Sequence, residues 1–180
     1  MPSYKGSVKQ KDIYIGSTKI GKVYKGNQLV YQSKLPAGII LFESGTPGTY
    51  TINVEANCTI YIDMCGAGGA GKDNSPFTTS KTGGSGGYIY GNTELTKGTY
   101  TVVVGAANGG ASSFIGNIAY GGNSANKDSD GAGGITTVIS SGLIGSNGVT
   151  GSTASRILSY GGGGWKKDNG QNGYCKIVTV

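Results

Sequence analysis

Residues 59–71, TIYIDMCGAGGAG, decide how the chain is read: an alternating apolar strand runs without a break into a block of glycines. The junction recurs in YTVVVGAANGG (100–110), IAYGG (118–122) and ILSYGGGG (157–164). It runs backwards, glycines into strand, in GGSGGYIY (83–90), GAGGITTVI (131–139) and GQNGYCKIVTV (170–180). The chain therefore shuttles between two kinds of layer, one built from side chains and one from bare backbone.

A glycine block has no side chains to bury, and glycine loses more chain entropy on ordering than any other residue. Alone, such a block is a flexible linker. Several blocks side by side have another option, the extended left-handed threefold helix, which makes no internal hydrogen bonds and points every N–H and C=O outward. With only hydrogen at each side-chain position, neighbouring helices approach closely and pair those groups with one another. The expectation is a packed bundle of polyglycine II helices anchored by strands.

Composition favours this over disorder: with 36 Gly in 180 residues the chain is still 36% hydrophobic, only 13% charged, and holds only 4 Pro. Thirty-one of the glycines lie from Gly45 onward, so the bias belongs to one region. Strand candidates rich in Val, Ile, Thr and Tyr fall at 38–42, 49–54, 58–64, 88–95, 99–104, 113–120, 135–140 and 174–180. No segment has useful helical periodicity. The fold expected is all-β: a β-sandwich, jelly-roll-like, in residues 35–180, with the glycine blocks emerging from one end. No stretch is apolar and long enough to span a bilayer and none at the N-terminus resembles a signal peptide, so neither membrane insertion nor secretory export is expected.

Residues 1–34 read as a separate module, a small three-stranded β-meander: VKQKDIYI (8–15), KIGKVYK (19–25) and QLVY (28–31), joined at Gly16-Ser17 and Gly26-Asn27. It holds seven lysines against Asp12 alone, while the eight basic and eight acidic residues of the remainder cancel, so the whole net charge of +6 sits here. A basic face serves nucleic acid, an acidic protein partner, or merely the solvation of edge strands. With no Arg forks, and with tyrosines that must also make a core, the residues favour the last two, and no nucleic-acid partner is expected.

Several chemical signatures fail on context. GAGGAGK (66–72) fits most of a phosphate-loop pattern, but Asp73, Asn74, Ser75 and Pro76 follow where a helix should begin. Asn126, Asp128 and Asp130 match the start of a calcium loop, yet Thr137 stands where the closing Glu belongs. Histidine is absent and the carboxylates are scattered, so no catalytic set and no cofactor is named. Of Cys58, Cys65 and Cys175, the first two are too far apart along one strand to pair; a Cys65–Cys175 bridge stays open, beside the simpler reading of buried thiols.

Three polar loops interrupt the glycine blocks: KDNSPFTTSKT (72–82), NSANKDSD (123–130) and WKKDNGQN (165–172). Each contains Lys-Asp, and if the blocks lie side by side the loops emerge together. Lys72, Asp73, Asn74, Lys127, Asp128, Lys167, Asp168 and Asn169 offer amide and charged hydrogen-bonding groups, and Phe77 and Trp165 flat apolar platforms, a chemistry suited to sugars or a polar protein surface. Solvated turns rich in turn-forming residues are the plain alternative, with Trp165 capping the bundle.

Residues 38–180 resemble the glycine-rich domains of tailed-phage fibre and receptor-binding proteins, through GTYTINV, CGAGGAG, GGSGGY, LTKGTYTVVVGAANGGASSF, GAGG and a closing GGGGW with NGQNGYCKIVTV. The extracellular glycine-rich region of anaplastic lymphoma kinase resembles the pattern too. The resemblance implies a β-sandwich with a polyglycine II bundle and, in phages, host attachment or virion structure. IYIGSTKIGKVYKGNQLVY (13–31) resembles a small module at the start of phage structural proteins, which implies docking to other virion proteins through Lys9, Lys11, Lys19, Lys22 and Lys25. The expectation is a non-catalytic virion protein, folded in the bacterial cytoplasm, that attaches the particle to a host surface glycan or protein. The alternative is a head fibre, capsid decoration or tail subunit that binds no receptor. A homo-oligomer is expected, a trimer favoured, since linked weak sites gain about 10² to 10⁴ in avidity.

Overall fold

The computed structural model describes residues 13–15, 18–32, 34–74, 79–154, 157 and 160–180, and among these there is no helix, so none to cross a membrane. Strands β1 (Ile13–Ile15), β2 (Thr18–Ile20), β3 (Lys22–Lys25) and β4 (Gln28–Gln32) form two separate antiparallel hairpins, β1–β2 and β3–β4. This corrects the expected three-stranded meander. The run 19–25 is cut at Gly21, which has no side chain to pack on either neighbour and leaves a bend. The turn at Gly26-Asn27 is the one expected, with Gly26 at φ +60.

The remaining ten strands make two five-stranded antiparallel sheets. β5 (Ile40–Ser44), β7 (Cys58–Cys65), β8 (Tyr88–Leu95), β13 (Leu143–Ser146) and β14 (Tyr174–Thr179) form one, in the order β13-β8-β7-β14-β5. β6 (Gly48–Val54), β9 (Gly98–Val104), β10 (Ser112–Phe114), β11 (Asn117–Ala119) and β12 (Thr136–Thr137) form the other, in the order β12-β11-β10-β9-β6. Alternation decides which face is buried: Cys58, Ile60, Ile62 and Met64 of β7 point inward with Ile89, Leu95, Cys175 and Ile177. They meet Ile52, Val54, Val102, Val104, Phe114 and Ala119 of the opposite sheet. Fully burying such a side chain contributes about 1.5 to 3 kcal/mol, so this core carries the sandwich.

Three details depart from the strand candidates. Residues 113–120 are a hairpin, not one strand, because Ile115 (φ +44) and Gly116 (φ +76) turn the chain. Residues 135–140 shrink to β12, and β13 was not foreseen, LIGS being too short and too weakly patterned to register. The structure also shows a local repeat, TPGTYT (46–51) and TKGTYT (96–101), at the entries to β6 and β9. In each, the tyrosine hydroxyl donates to the carbonyl four residues back: Tyr50 to Thr46 at 2.8 Å, Tyr100 to Thr96 at 2.7 Å.

Above the sandwich the glycine blocks pack as expected, and the backbone hydrogen bonds prove the period. Gly66 N–H donates to Gly87 O, Gly69 to Gly84, and Lys72 to Lys81, each three residues on, so 66–72 lies antiparallel to 81–87. Gly84 to Asn123 and Gly87 to Tyr120, Gly83 to Gly164 and Gly86 to Gly161, and Gly68 to Gln171 and Gly71 to Asp168 repeat the step. Contacts every third residue in several directions are the signature of threefold helices sharing a lattice. Blocks 66–69, 83–87 and 161–164 are wholly buried. A Cβ at Gly68 would stand 1.9 Å from Gly162 O, and one at Gly84 2.0 Å from Ala132 O, so backbone meets backbone where a side chain would otherwise be. The perimeter does carry side chains, again at steps of three, as with Tyr120 and Asn123 or Ala132 and Ile135.

All three cysteines are free and buried. Cys65 pairs across the ladder with Tyr174, and Cys175 with Met64, so Cys65 and Cys175 lie on opposite faces of one sheet and cannot join. Burial pushes the Cys65 thiol up to about 12 and raises Cys175 and Cys58 as well.

Candidate functional site

Because 66–72, 120–125 and 161–165 run outward from the sandwich and 81–87, 131–135 and 170–173 run back, the three polar loops turn at the same end. They are locked together there. Asn74 Nδ2 donates to Lys127 O at 2.8 Å, Thr82 N–H to Asp130 Oδ1 at 2.8 Å, and Ala70 N–H to Ser124 Oγ at 3.0 Å, tying the first loop to the second. The Lys167 ammonium lies 3.8 Å from Asp73, and Thr82 bridges to Trp165 through backbone, tying the first to the third.

Within this cluster Asp73 is shielded, with its side chain 21% exposed, and it accepts Ser80 Oγ at 3.1 Å. Lys127 and Asp128 form an exposed pair at 3.9 Å, and Lys72, Asp168 and Asn169 are exposed at the rim. Trp165 is 52% exposed, with Lys166 Nζ 4.5 Å from its ring centre. Phe77 lies outside the described residues, as do Lys9 and Lys11; Lys19 lies in β2, and Lys22 and Lys25 are exposed in β3.

The calcium-like segment is used otherwise. Asn126 Oδ1 accepts the N–H groups of Asp128 and Ser129 at 2.8 and 2.9 Å, an Asx turn, and Asp130 is committed to Thr82. Among the described residues no group of three metal-ligating side chains converges.

Two contributors were missed. Asn108 donates through Nδ2 to Asn169 Oδ1 at 3.1 Å and accepts Gly170 N–H at 3.1 Å, bracing the Trp165 loop against residues 106–110. Its signal was Asn108-Gly109, a pair suited to the left-handed turn that Asn108 adopts at φ +69. Asn172 Oδ1 adds a bond from Ala107 N–H at 3.0 Å. Neither bond depends on local pattern, so spacing alone does not reveal it.

At the opposite pole the linker is fastened to the foot of the sandwich: Leu35 N–H donates to Asn57 O at 3.1 Å, Gly38 N–H to Thr179 O at 2.7 Å, and Lys34 stands 4.0 Å from Glu94. From Cys58 at the foot to Lys72 at the tip the chain covers about 23 Å as strand and about 19 Å as threefold helix.

These features define a class: a β-sandwich whose strands continue into a glycine-helix bundle, with interlocked polar loops at its tip. The sequence pattern of the glycine-rich domain family matches residues 44–176, and the chain belongs to that family. No curated protein matches the chain.

Proposed function

We infer that the protein is a non-catalytic virion attachment protein of the phage tail-fibre or receptor-binding type. The lysine-rich N-terminal module docks on other virion proteins, and the tip loops meet a host cell-surface glycan or protein. The observation that carries this reading is polarity. The charged module leaves the foot of the sandwich, the interlocked loops crown the other end, and between them stands a lattice of backbone hydrogen bonds stiff enough to hold the loops in place. Such a bundle presents loops at little ordering cost, because the loop ends are already fixed. Homo-oligomerisation, with a trimer favoured, multiplies weak sites.

The test is saturable binding of the purified protein to host cells, in competition with intact phage, for wild type and for Trp165→Ala. Saturable, phage-competed binding that Trp165→Ala abolishes without lowering the melting temperature supports the reading. Absence of binding by a folded oligomer assigns the protein to virion structure instead, as a head fibre, decoration or tail subunit.

A further inference from the structure

A second candidate surface lies far from the tip, beside the foot of the sandwich. β13 pairs with β8 from Ser146↔Tyr88 to Leu143↔Gly91 and then stops, leaving the edge of Thr93 and Glu94 without a strand partner. The chain turns away at Gly142, φ +81, where a Cβ would strike Asn92 O at 2.1 Å. Between that open edge and the turn is a groove of about 490 Å³, lined by Thr59, Asn92, Thr93, Glu94, Ser140 and Ser141. Its walls carry hydroxyls, one amide and one carboxylate, with no large apolar side chain among them.

The groove is built, not incidental. Asn117, fully buried, accepts the N–H groups of Ile139 and Ser140 at 2.9 and 3.1 Å and donates to Ser140 Oγ at 2.9 Å, so an interior side chain fixes the outer wall. On the other wall Thr59 Oγ1 donates to Glu94 Oε1 at 2.7 Å. Tyr61 pairs across the ladder with Asn92, so its side chain leaves the same outer face as those of Asn92 and Thr59. Asp63 and Tyr90 follow one step along that face, and the rings of Tyr90 and Tyr88 stack at 5.2 Å.

We propose that this groove binds a neutral saccharide. Hydroxyl, amide and carboxylate groups held in fixed positions match sugar hydroxyls, and Tyr61 supplies the flat platform that the C–H face of a pyranose requires. Charge selects against acidic sugars. Glu94 stands in the groove with the exposed Lys34 ammonium 4.0 Å from it, and Asp63, whose Oδ1 has no hydrogen-bond partner, lies on the adjoining face, so two carboxylates stand against one mobile surface cation. A peptide would need a pocket for an apolar anchor, which the groove does not offer.

The experiment titrates the full chain with neutral oligosaccharides of glucose, galactose, mannose and N-acetylglucosamine, and with sialylated and uronate-bearing counterparts, reading amide shifts by NMR. The proposal expects saturable shifts at Asn92, Thr93, Glu94 and residues 140–142 for at least one neutral sugar. Ser141→Trp, an exposed residue whose new ring fills the groove, should abolish them, and Tyr61→Ala should weaken binding, both at unchanged melting temperature. Trp165→Ala, at the other pole, should leave them intact. No shift at millimolar sugar overturns the proposal, as does tighter binding of the acidic counterparts, shifts confined to the tip loops, or full binding by a folded Ser141→Trp.

Discussion

Replacing Gly68 by alanine probes the glycine lattice with a single methyl group. The new Cβ would lie 1.9 Å from Gly162 O and 2.3 Å from Gly162 C, both backbone, where ordinary contact is 3.4 Å or more; the two helices must part by roughly 1.5 Å. That movement strains the bonds that hold them: Gly68 N–H to Gln171 O at 2.9 Å, Gln171 N–H to Gly162 O at 2.8 Å, and Gly109 N–H to Gly68 O at 3.1 Å. Losing two or three buried backbone bonds at about 1 kcal/mol each, with about 1 to 3 kcal/mol of overpacking, gives roughly 3 to 6 kcal/mol. For a chain of this size that lowers the melting temperature by about 6 to 24 °C. Gly98→Ala is the control, since its Cβ would sit 3.5 Å from the Tyr100 ring in ordinary contact. Calorimetry or circular dichroism of both variants decides it. If the blocks were flexible linkers, Gly68→Ala would instead raise stability by about 0.4 to 1 kcal/mol through the unfolded chain. An unchanged or raised midpoint refutes the packed bundle.

Other outcomes follow from the same contacts. Iodoacetamide at pH 8 should leave all three cysteines of the native protein unlabelled and modify all three in urea, because burial holds the thiols protonated; rapid native labelling would contradict their placement. Glu43 accepts the Tyr174 hydroxyl at 2.6 Å and lies 3.1 Å from Lys176, and these hold its carboxyl below the usual range, the tyrosine bond foremost. Its folded value being depressed, the contribution is present above the unfolded carboxylate value of about 4.3 and is lost as pH falls through the lower folded one. Glu43→Gln should therefore be less stable than wild type at pH 7 and indistinguishable at the acid end; an equal gap at both pH values would exclude the ionised contact. Burial, then the bond to Glu43, raises Tyr174, and burial with Asp63 raises Tyr88, so ultraviolet titration should leave these two un-ionised past the ordinary tyrosine value of about 10. Lys167→Ala removes a partner of Asp73, but Lys167 is 83% exposed, and the melting change should correspond to less than about 1 kcal/mol.

What the sequence determined by itself was local. Alternation in residues 58–65 and 99–104 fixed strands with one apolar face, because successive side chains must point to opposite sides. Bare glycine blocks with a strand at each end left the threefold lattice as the ordered state open to them, and a chain that leaves and re-enters the sandwich must turn at the far end, which is why the Asp73, Asp128 and Trp165 loops were legible as neighbours. Tertiary structure decided what depends on register. Whether Cys65 faces Cys175 turns on a one-residue offset between β7 and β14, and a period of two sends adjacent residues to opposite faces. The Asn108–Asn169 bond spans 61 residues, and Asn117 reaches 23 residues to hold Ser140. Where β13 stops along β8 opens the groove at Asn92. No local pattern encodes such pairings, since each is fixed only when distant strands settle into one of several registers that alternation alone permits.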